Sequence, residues 1–136
     1  MKKVEFEVTV HTFQIDFAGH VSNIVYLQWM EIARTKLLAA AGMPIERLRE
    51  EGTIPVLART EVSYRKPLYL GEKARVEAWL SAVGGATAAI EVRFFDSGGD
   101  LVASGSHRGV FVNLETGRPR RISPEQRESL KPFVEE

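Results

Sequence analysis

Apolar and polar residues alternate along most of this chain, and one long segment near the N-terminus breaks the alternation. From Val4 to His11, a valine or phenylalanine stands at every second position, which is typical of a half-buried strand. The alternation ends near Asp16, and Ala18-Gly19 indicates a turn. The chain is therefore predicted to begin with a strand that leads into a turn.

The segment after this turn has helical spacing of its apolar residues. Ser22 and Asn23 are both good N-cap residues, and neither Gly nor Pro occurs between Val25 and Ala41. Gly42 is a typical helix stop. The apolar positions spread over most of the helix circumference, which predicts a helix that is covered on most sides.

Four more strands are predicted after the helix, at Thr53 to Lys66, Lys73 to Val83, Ala86 to Asp96 and Leu101 to Leu114. Turn signals separate them, the clearest being Gly84-Gly85, and consecutive strands joined by hairpins predict an antiparallel meander. A capping box at Ser123 predicts a short C-terminal helix that ends near Val134.

These elements predict an α+β fold in a single domain that spans residues 1–136. Each of the four later strands exceeds the usual length of about five or six residues, and long strands twist and curve. A curved antiparallel sheet wrapped around one long central helix, with a short C-terminal helix, is the hot-dog architecture.

Composition narrows the class of protein. Lys plus Arg equals Asp plus Glu at 18 each, so the formal net charge is zero, which argues against a nucleic-acid binder. The chain has no cysteine, which excludes disulfides and a thiolate nucleophile. Neither a signal-peptide core nor a membrane-spanning apolar run is present, so we expect a soluble cytoplasmic protein.

Candidate chemistry lies just before the long helix. Asp16 and His20 precede a helix start, where free backbone N–H groups stabilise negative charge. A carboxylate next to such N–H groups suits attack on a carbonyl. His11 and His107 lie within predicted strands without ligand-like spacing, so no metal site is expected.

The run Asp16 to Arg34, D-F-A-G-H-V-S-N-I-V-Y-L-Q-W-M-E-I-A-R, resembles the motif of the 4-hydroxybenzoyl-CoA thioesterase-like branch of hot-dog acyl-CoA thioesterases. The segment Val62 to Leu68, followed by Gly71-Glu72, is also similar to that family's second strand and its exit turn. The resemblance implies hydrolysis of acyl thioesters of coenzyme A or of acyl carrier protein, with no cofactor beyond the coenzyme A of the substrate. It also implies a homodimer or homotetramer with its sites at the dimer interface.

The resemblance also implies roles for individual residues. Asp16 matches the catalytic carboxylate, which acts as nucleophile or general base, and Asn23 lies where a backbone N–H polarises the carbonyl. His20 is a third catalytic candidate, as an orienter or polariser. Gly19 matches the turn glycine, and Ser22 and Tyr26 match positions near the acyl group.

The second predicted strand and its exit supply the remaining candidates for substrate binding. Arg59, Arg65 and Lys66 are candidates for the phosphates of coenzyme A, and Ser63 lies among them. The alternative for each cation is an ordinary solvated strand face.

Two other functions are compatible with the same sequence. Hot-dog folds also serve as hydratases or dehydratases of hydroxyacyl thioesters and as non-catalytic acyl-binding modules. Asp16 and His20 resemble, weakly, the Asp-His pair of a hydratase. An acyl-binding module would retain its function without Asp16, whereas an enzyme would not.

Overall fold

The computed structural model describes residues 1–136 and contains five strands and three α-helices. In chain order they are β1 (Val4–Thr9), α1 (Asn23–Ala40), α2 (Ile45–Glu50), β2 (Thr53–Tyr64), β3 (Lys73–Val83), β4 (Thr87–Phe95), β5 (Leu101–Asn113) and α3 (Pro124–Leu130). Short 3-10 turns lie at Thr12–Gln14 and Lys131–Phe133, and the first was not predicted. The predicted strands and helices are otherwise present, with ends that differ by a few residues.

The five strands form one antiparallel sheet in the order β1-β3-β4-β5-β2. The predicted meander is correct for β3, β4 and β5 but wrong for β2, which pairs with β5 at the far edge of the sheet. The connection between β2 and β3, at 65–72, does not form a hairpin, because it is held by the core and by the segment before α1. Its Leu68 is fully buried and accepts a hydrogen bond from the Val21 N–H over 2.9 Å.

Helix α1 packs on the sheet through one face only. Its buried residues are Val25, Tyr26, Trp29, Met30, Ala33, Leu37 and Leu38. Ile24, Leu27 and Ile32 on the opposite face are exposed at 64%, 41% and 41%. The prediction of a helix covered on most sides is therefore wrong for the single chain, because the sheet reaches only one side of it. No helix in the structure has the length and apolar character needed to span a bilayer.

A glycine in β5 lets α1 approach the sheet closely. Met30 is fully buried, and a Cβ built on Gly105 would lie 2.6 Å from its Cε atom. The same Cβ would lie 3.0 Å from the carbonyl oxygen of Glu61 on the neighbouring strand. Gly105 thus provides a notch for the Met30 side chain, and burying a methionine stabilises a fold by roughly 1.5–3 kcal/mol.

His107 is a buried polar residue of the core, on β5 at 2% exposure. Its Nδ1 has no hydrogen-bond partner. Burial lowers the pKa of the imidazole, and the nearby positive charge of Arg34 lowers it further. His107 therefore stays neutral near pH 7 and belongs to the packing of the core.

We predict that Gly105→Ala lowers the free energy of unfolding by about 1–3 kcal/mol, the usual cost of inserting a methyl group into a packed core. The matched control is Gly109→Ala on the same strand, because a Cβ there would meet its nearest atom at 3.6 Å, an ordinary contact. Urea unfolding of both variants measures the difference. Equal losses of stability in the two variants would contradict the notch.

Candidate functional site

An open cavity of 320 Å³ lies where the start of α1 meets the end of β2. It is lined by His20, Val21, Asn23, Tyr26, Tyr64, Arg65, Lys66 and Pro67. One wall thus consists of the loop before α1 and the first turn of that helix. The other wall consists of the end of the edge strand β2. The cavity combines aromatic and aliphatic surface with two cationic side chains.

The loop before α1 is a tight turn that its own backbone closes. The Asp16 N–H donates to the His20 carbonyl oxygen over 2.9 Å, and the Gly19 N–H donates to the Asp16 carbonyl oxygen over 3.0 Å. Gly19 has a φ of +87°, a conformation that L side chains rarely adopt. A bridge between Ile15 and Val21 aligns the two sides of the loop. This turn carries the chain directly into the helix start.

The first N–H groups of α1 are not used within the protein. Ser22 is the N-cap, but its side chain accepts no capping hydrogen bond. The Val25 N–H donates to the Ser22 carbonyl oxygen over 3.0 Å, whereas the N–H groups of Asn23 and Ile24 have no acceptor in the chain. No acidic side chain lies in the first turn. The helix therefore presents unpaired donors and the positive end of its dipole beside the cavity.

Asp16 lies on the turn next to this helix start but does not line the cavity of its own chain. The Ala18 N–H donates to its Oδ1 over 2.9 Å, which fixes the orientation of the carboxylate. Its Oδ2 accepts no hydrogen bond from the protein. The side chain is half-buried, and one carboxylate oxygen has no hydrogen-bond partner within the protein.

His20 lines the cavity and is held by the segment that follows β2. Its backbone forms a bridge with Tyr69, and the two rings meet edge to face at 5.7 Å between centroids. The side chains of His20 and Asp16 make no hydrogen bond to each other, although their backbones do. The Asp-His side-chain pair that a hydratase would need is therefore not formed in the structure.

Tyr26 lines the cavity, and its ring packs among three aromatic rings. Its centroid lies 5.3 Å from that of Tyr64, 5.4 Å from that of Trp29 and 5.3 Å from that of Phe94, all in edge contacts. Burial raises the pKa of the Tyr26 hydroxyl to about 12, with smaller contributions from Tyr64 and Glu72. The hydroxyl is thus protonated at neutral pH.

The two cations of the cavity differ in their partners. Lys66 Nζ lies 2.7 Å from Asp96 Oδ2 and 3.1 Å from Asp100 Oδ2. Hydrogen bonds to these two carboxylates raise the pKa of Lys66. Arg65 forms no ion pair within the chain, so its charge is the one available to an anionic ligand.

Arg59 and Ser63 face away from the cavity. Residues alternate along β2, and Tyr64 points to the face that packs on α1. Ser63 lines a separate groove of 140 Å³ on the other face, and Arg59 pairs there with Glu61. The cavity of one chain brings together five predicted residues, namely His20, Asn23, Tyr26, Arg65 and Lys66.

Sequence reasoning missed two features near the ends of β2. Tyr64 lines the cavity, and only its inward register on the strand could have indicated this. At the other end, the loop at 117–122 carries Arg118, Arg120 and Arg121, and none of them forms an ion pair. Arg120 Nη1 donates to the backbone oxygens of Glu51 and Gly52, over 2.9 and 3.2 Å, which ties the loop to the start of β2.

Comparison with known proteins gives a consistent set of relatives. The family model described as the thioesterase-like superfamily matches residues 10–130. A putative acyl-CoA thioesterase of Bacillus subtilis, YneP, is 27% identical over 83% of this chain and 82% of its own length. The long-chain acyl-CoA thioesterase FadM of Escherichia coli is 23% identical over 96% of this chain and 99% of its own.

A solved structure with the same fold is the DHNA-CoA thioesterase from Staphylococcus aureus. The TM-score is 0.90 at 21% identity, over 97% of this chain and 91% of the other. At this level of identity the likeness establishes the hot-dog fold. The family model covers most of the chain, from the end of β1 to the end of α3. The chain therefore belongs to the thioesterase-like superfamily.

Proposed function

We propose that this protein is an acyl-CoA thioesterase that hydrolyses the thioester bond to a free acid and a thiol. The observation that carries the proposal is the unpaired N–H groups of Asn23 and Ile24 beside a cavity, with the free oxygen of Asp16 on the adjoining turn. Membership of the superfamily, and two relatives described as acyl-CoA thioesterases, support the same reaction.

The helix start would act on the carbonyl oxygen of the thioester. An attack on the carbonyl carbon moves an electron pair onto that oxygen, and fixed N–H donors stabilise the developing charge. The Asn23 N–H is the donor we assign to this role, since Asn23 lines the cavity and its N–H has no partner. His20, at the same wall, would help to orient or polarise the thioester.

Asp16 would supply the attack in one of two ways. As a general base it takes a proton from water while the water oxygen bonds to the carbonyl carbon, and collapse of the intermediate breaks the C–S bond. The departing thiolate then takes up that proton. As a nucleophile the carboxylate displaces the thiolate to form a mixed anhydride, which water hydrolyses to the acid and restores Asp16.

The uncovered surfaces favour a homodimer that pairs along β2. This strand is an edge of the sheet with 12 residues, and it exposes Val56 and Leu57 at 41% and 38%. Long open edges invite pairing with another strand. A partner across this edge would also bring surface to the exposed face of α1, making α1 the central helix of the assembly. Since Asp16 lies outside the cavity of its own chain, we place the complete sites at this interface.

The arginines that form no ion pair within the chain are the candidates for binding the phosphates of coenzyme A. Arg65 lies at the cavity, and the arginines of the loop at 117–122 lie at the opposite end of β2. Twelve residues of strand span about 40 Å. In an antiparallel pair of β2 strands, however, the loop of one chain lies beside the cavity of the other. We therefore assign Arg65 and the loop at 117–122 of the partner subunit to the nucleotide end of the substrate, with Arg121 as the loop arginine to be tested.

We predict that Asp16→Ala lowers turnover on the best acyl-CoA substrate by about 10²–10⁴, the usual scale for a positioned base or nucleophile. Asp16→Asn is nearly as inactive, because an amide keeps the shape but neither attacks nor accepts a proton. Steady-state release of thiol measures both variants. Turnover of Asp16→Ala within tenfold of wild type would exclude Asp16 from the reaction.

We predict that Arg65→Glu and Arg121→Glu each raise KM for an acyl-CoA about tenfold or more, since charge-assisted hydrogen bonds contribute roughly 1.5–3 kcal/mol. KM for the matching acyl-pantetheine, which lacks the nucleotide, stays unchanged. Arg49→Glu is the control, because Arg49 is exposed and forms no ion pair. If neither substitution changes KM for the acyl-CoA, the nucleotide lies elsewhere or the acyl donor is a carrier protein.

We predict that the protein is a dimer or larger assembly by light scattering at micromolar concentration and that Leu57→Lys shifts it towards monomer. A charge on an edge strand opposes strand pairing. The matched control is Leu114→Lys, at a similarly exposed leucine beyond the end of β5, which leaves the mass unchanged. A monomeric wild type with full activity would refute the interface.

A further inference from the structure

Tyr26 supplies the cavity with a hydrogen-bond donor that the proposed attack by Asp16 does not use. Tyr26 lines the cavity, its hydroxyl makes no hydrogen bond within the protein, and it is not sealed from solvent. The neighbouring Tyr64 hydroxyl is directed elsewhere, since it lies 3.5 Å from the carbonyl oxygen of Asn23. Tyr26 therefore provides the hydroxyl of the cavity that has no hydrogen-bond partner.

The position of Tyr26 on α1 directs this hydroxyl to the helix start. Tyr26 lies three residues after Asn23, on the same face of the helix. Side chains of α-helices point back towards the N-terminus and cover the preceding turn. The hydroxyl and the unpaired Asn23 N–H thus serve the same region of the cavity, and both residues line it.

The ring that carries the hydroxyl is fixed in place. Trp29, Tyr64 and Phe94 contact it by edges at centroid distances of 5.3–5.4 Å. Packing against three rings holds the whole side chain in one position, so the hydroxyl oxygen keeps its place without a hydrogen bond. A donor that needs no reorganisation when charge develops stabilises a transition state most effectively.

The charge around the hydroxyl makes it a donor and not a base. Burial keeps the phenol protonated at neutral pH, and the nearby Glu72 carboxylate acts in the same direction. The Glu72 carboxylate is itself oriented by the Tyr69 N–H, which donates to its Oε1 over 2.8 Å. A protonated hydroxyl at this cavity can donate a hydrogen bond to an oxygen of the substrate.

We propose that the Tyr26 hydroxyl donates a hydrogen bond to the carbonyl oxygen of the bound thioester, as a second oxyanion donor beside the Asn23 N–H. This role rests on the proposed thioesterase function and adds a catalytic side chain to it. The hydrogen bond strengthens as the carbonyl electron pair moves to the oxygen, and no proton is transferred. The residue therefore contributes to turnover more than to substrate binding.

Replacement of the hydroxyl tests the proposal. Tyr26→Phe lowers kcat at least about tenfold, since loss of one oxyanion donor costs about 10²–10³ in the strongest cases, and KM changes less than threefold. Tyr69→Phe is the control for loss of a tyrosine hydroxyl, because Tyr69 does not line the cavity, and its kcat stays within threefold. A Tyr26→Phe enzyme with kcat within threefold of wild type would overturn the proposal.

Two inert analogues separate a direct contact from a packing effect. An S-(2-oxoalkyl)-CoA keeps a carbonyl oxygen near the reacting position, whereas an S-alkyl-CoA thioether has none. Tyr26→Phe weakens binding of the ketone about fivefold or more and leaves binding of the thioether within twofold. Equal weakening of both analogues would overturn the proposal and assign the residue to packing. If the wild-type protein hydrolyses no acyl-CoA, the proposed thioesterase function itself is refuted. The kcat of the wild type therefore separates that outcome from a failure of the proposal for Tyr26.

Discussion

The packing of α1 against the inner face of the sheet is the interaction on which the other features depend. Met30 fills the notch at Gly105, and Tyr26 fits among three other aromatic rings one helical turn earlier. Together these contacts fix the helix along its axis and around it. The position of the helix start relative to the end of β2 follows from them, and that junction is the cavity. Core packing thereby sets the geometry of the candidate chemistry.

The electrostatics of the site are local and not global. The chain has no net charge, yet the cavity faces the positive end of a helix dipole and the unpaired Arg65. Lys66 adds little to this, because Asp96 and Asp100 neutralise it. A neutral protein can thus offer one restricted region to an anionic ligand while the rest of its surface stays balanced.

Three features of the single chain are unpaired, uncovered or separated from the cavity, and the proposed partner subunit would complete each of them. Strand β2 is an unpaired edge, α1 exposes an apolar face, and Asp16 stands just outside the cavity. Each feature, taken alone, has an ordinary structural explanation. The proposed interface built on β2 would account for all three features.

Much of the local structure was determined by the sequence alone. Strands β3 to β5, the ends of α1 and the turn at Gly19 follow from periodicity, capping residues and backbone freedom, all of which act over a few residues. The tertiary structure alone decided the pairing of β2 with β5, the coverage of only one face of α1, and the neutralisation of Lys66 by carboxylates 30 and 34 residues away. It also decided which predicted residues share the cavity, bringing in Tyr64 and leaving Ser63 on the other face. These outcomes depend on contacts between segments distant in sequence, and a local pattern of residues carries no information about which distant segment will supply the partner.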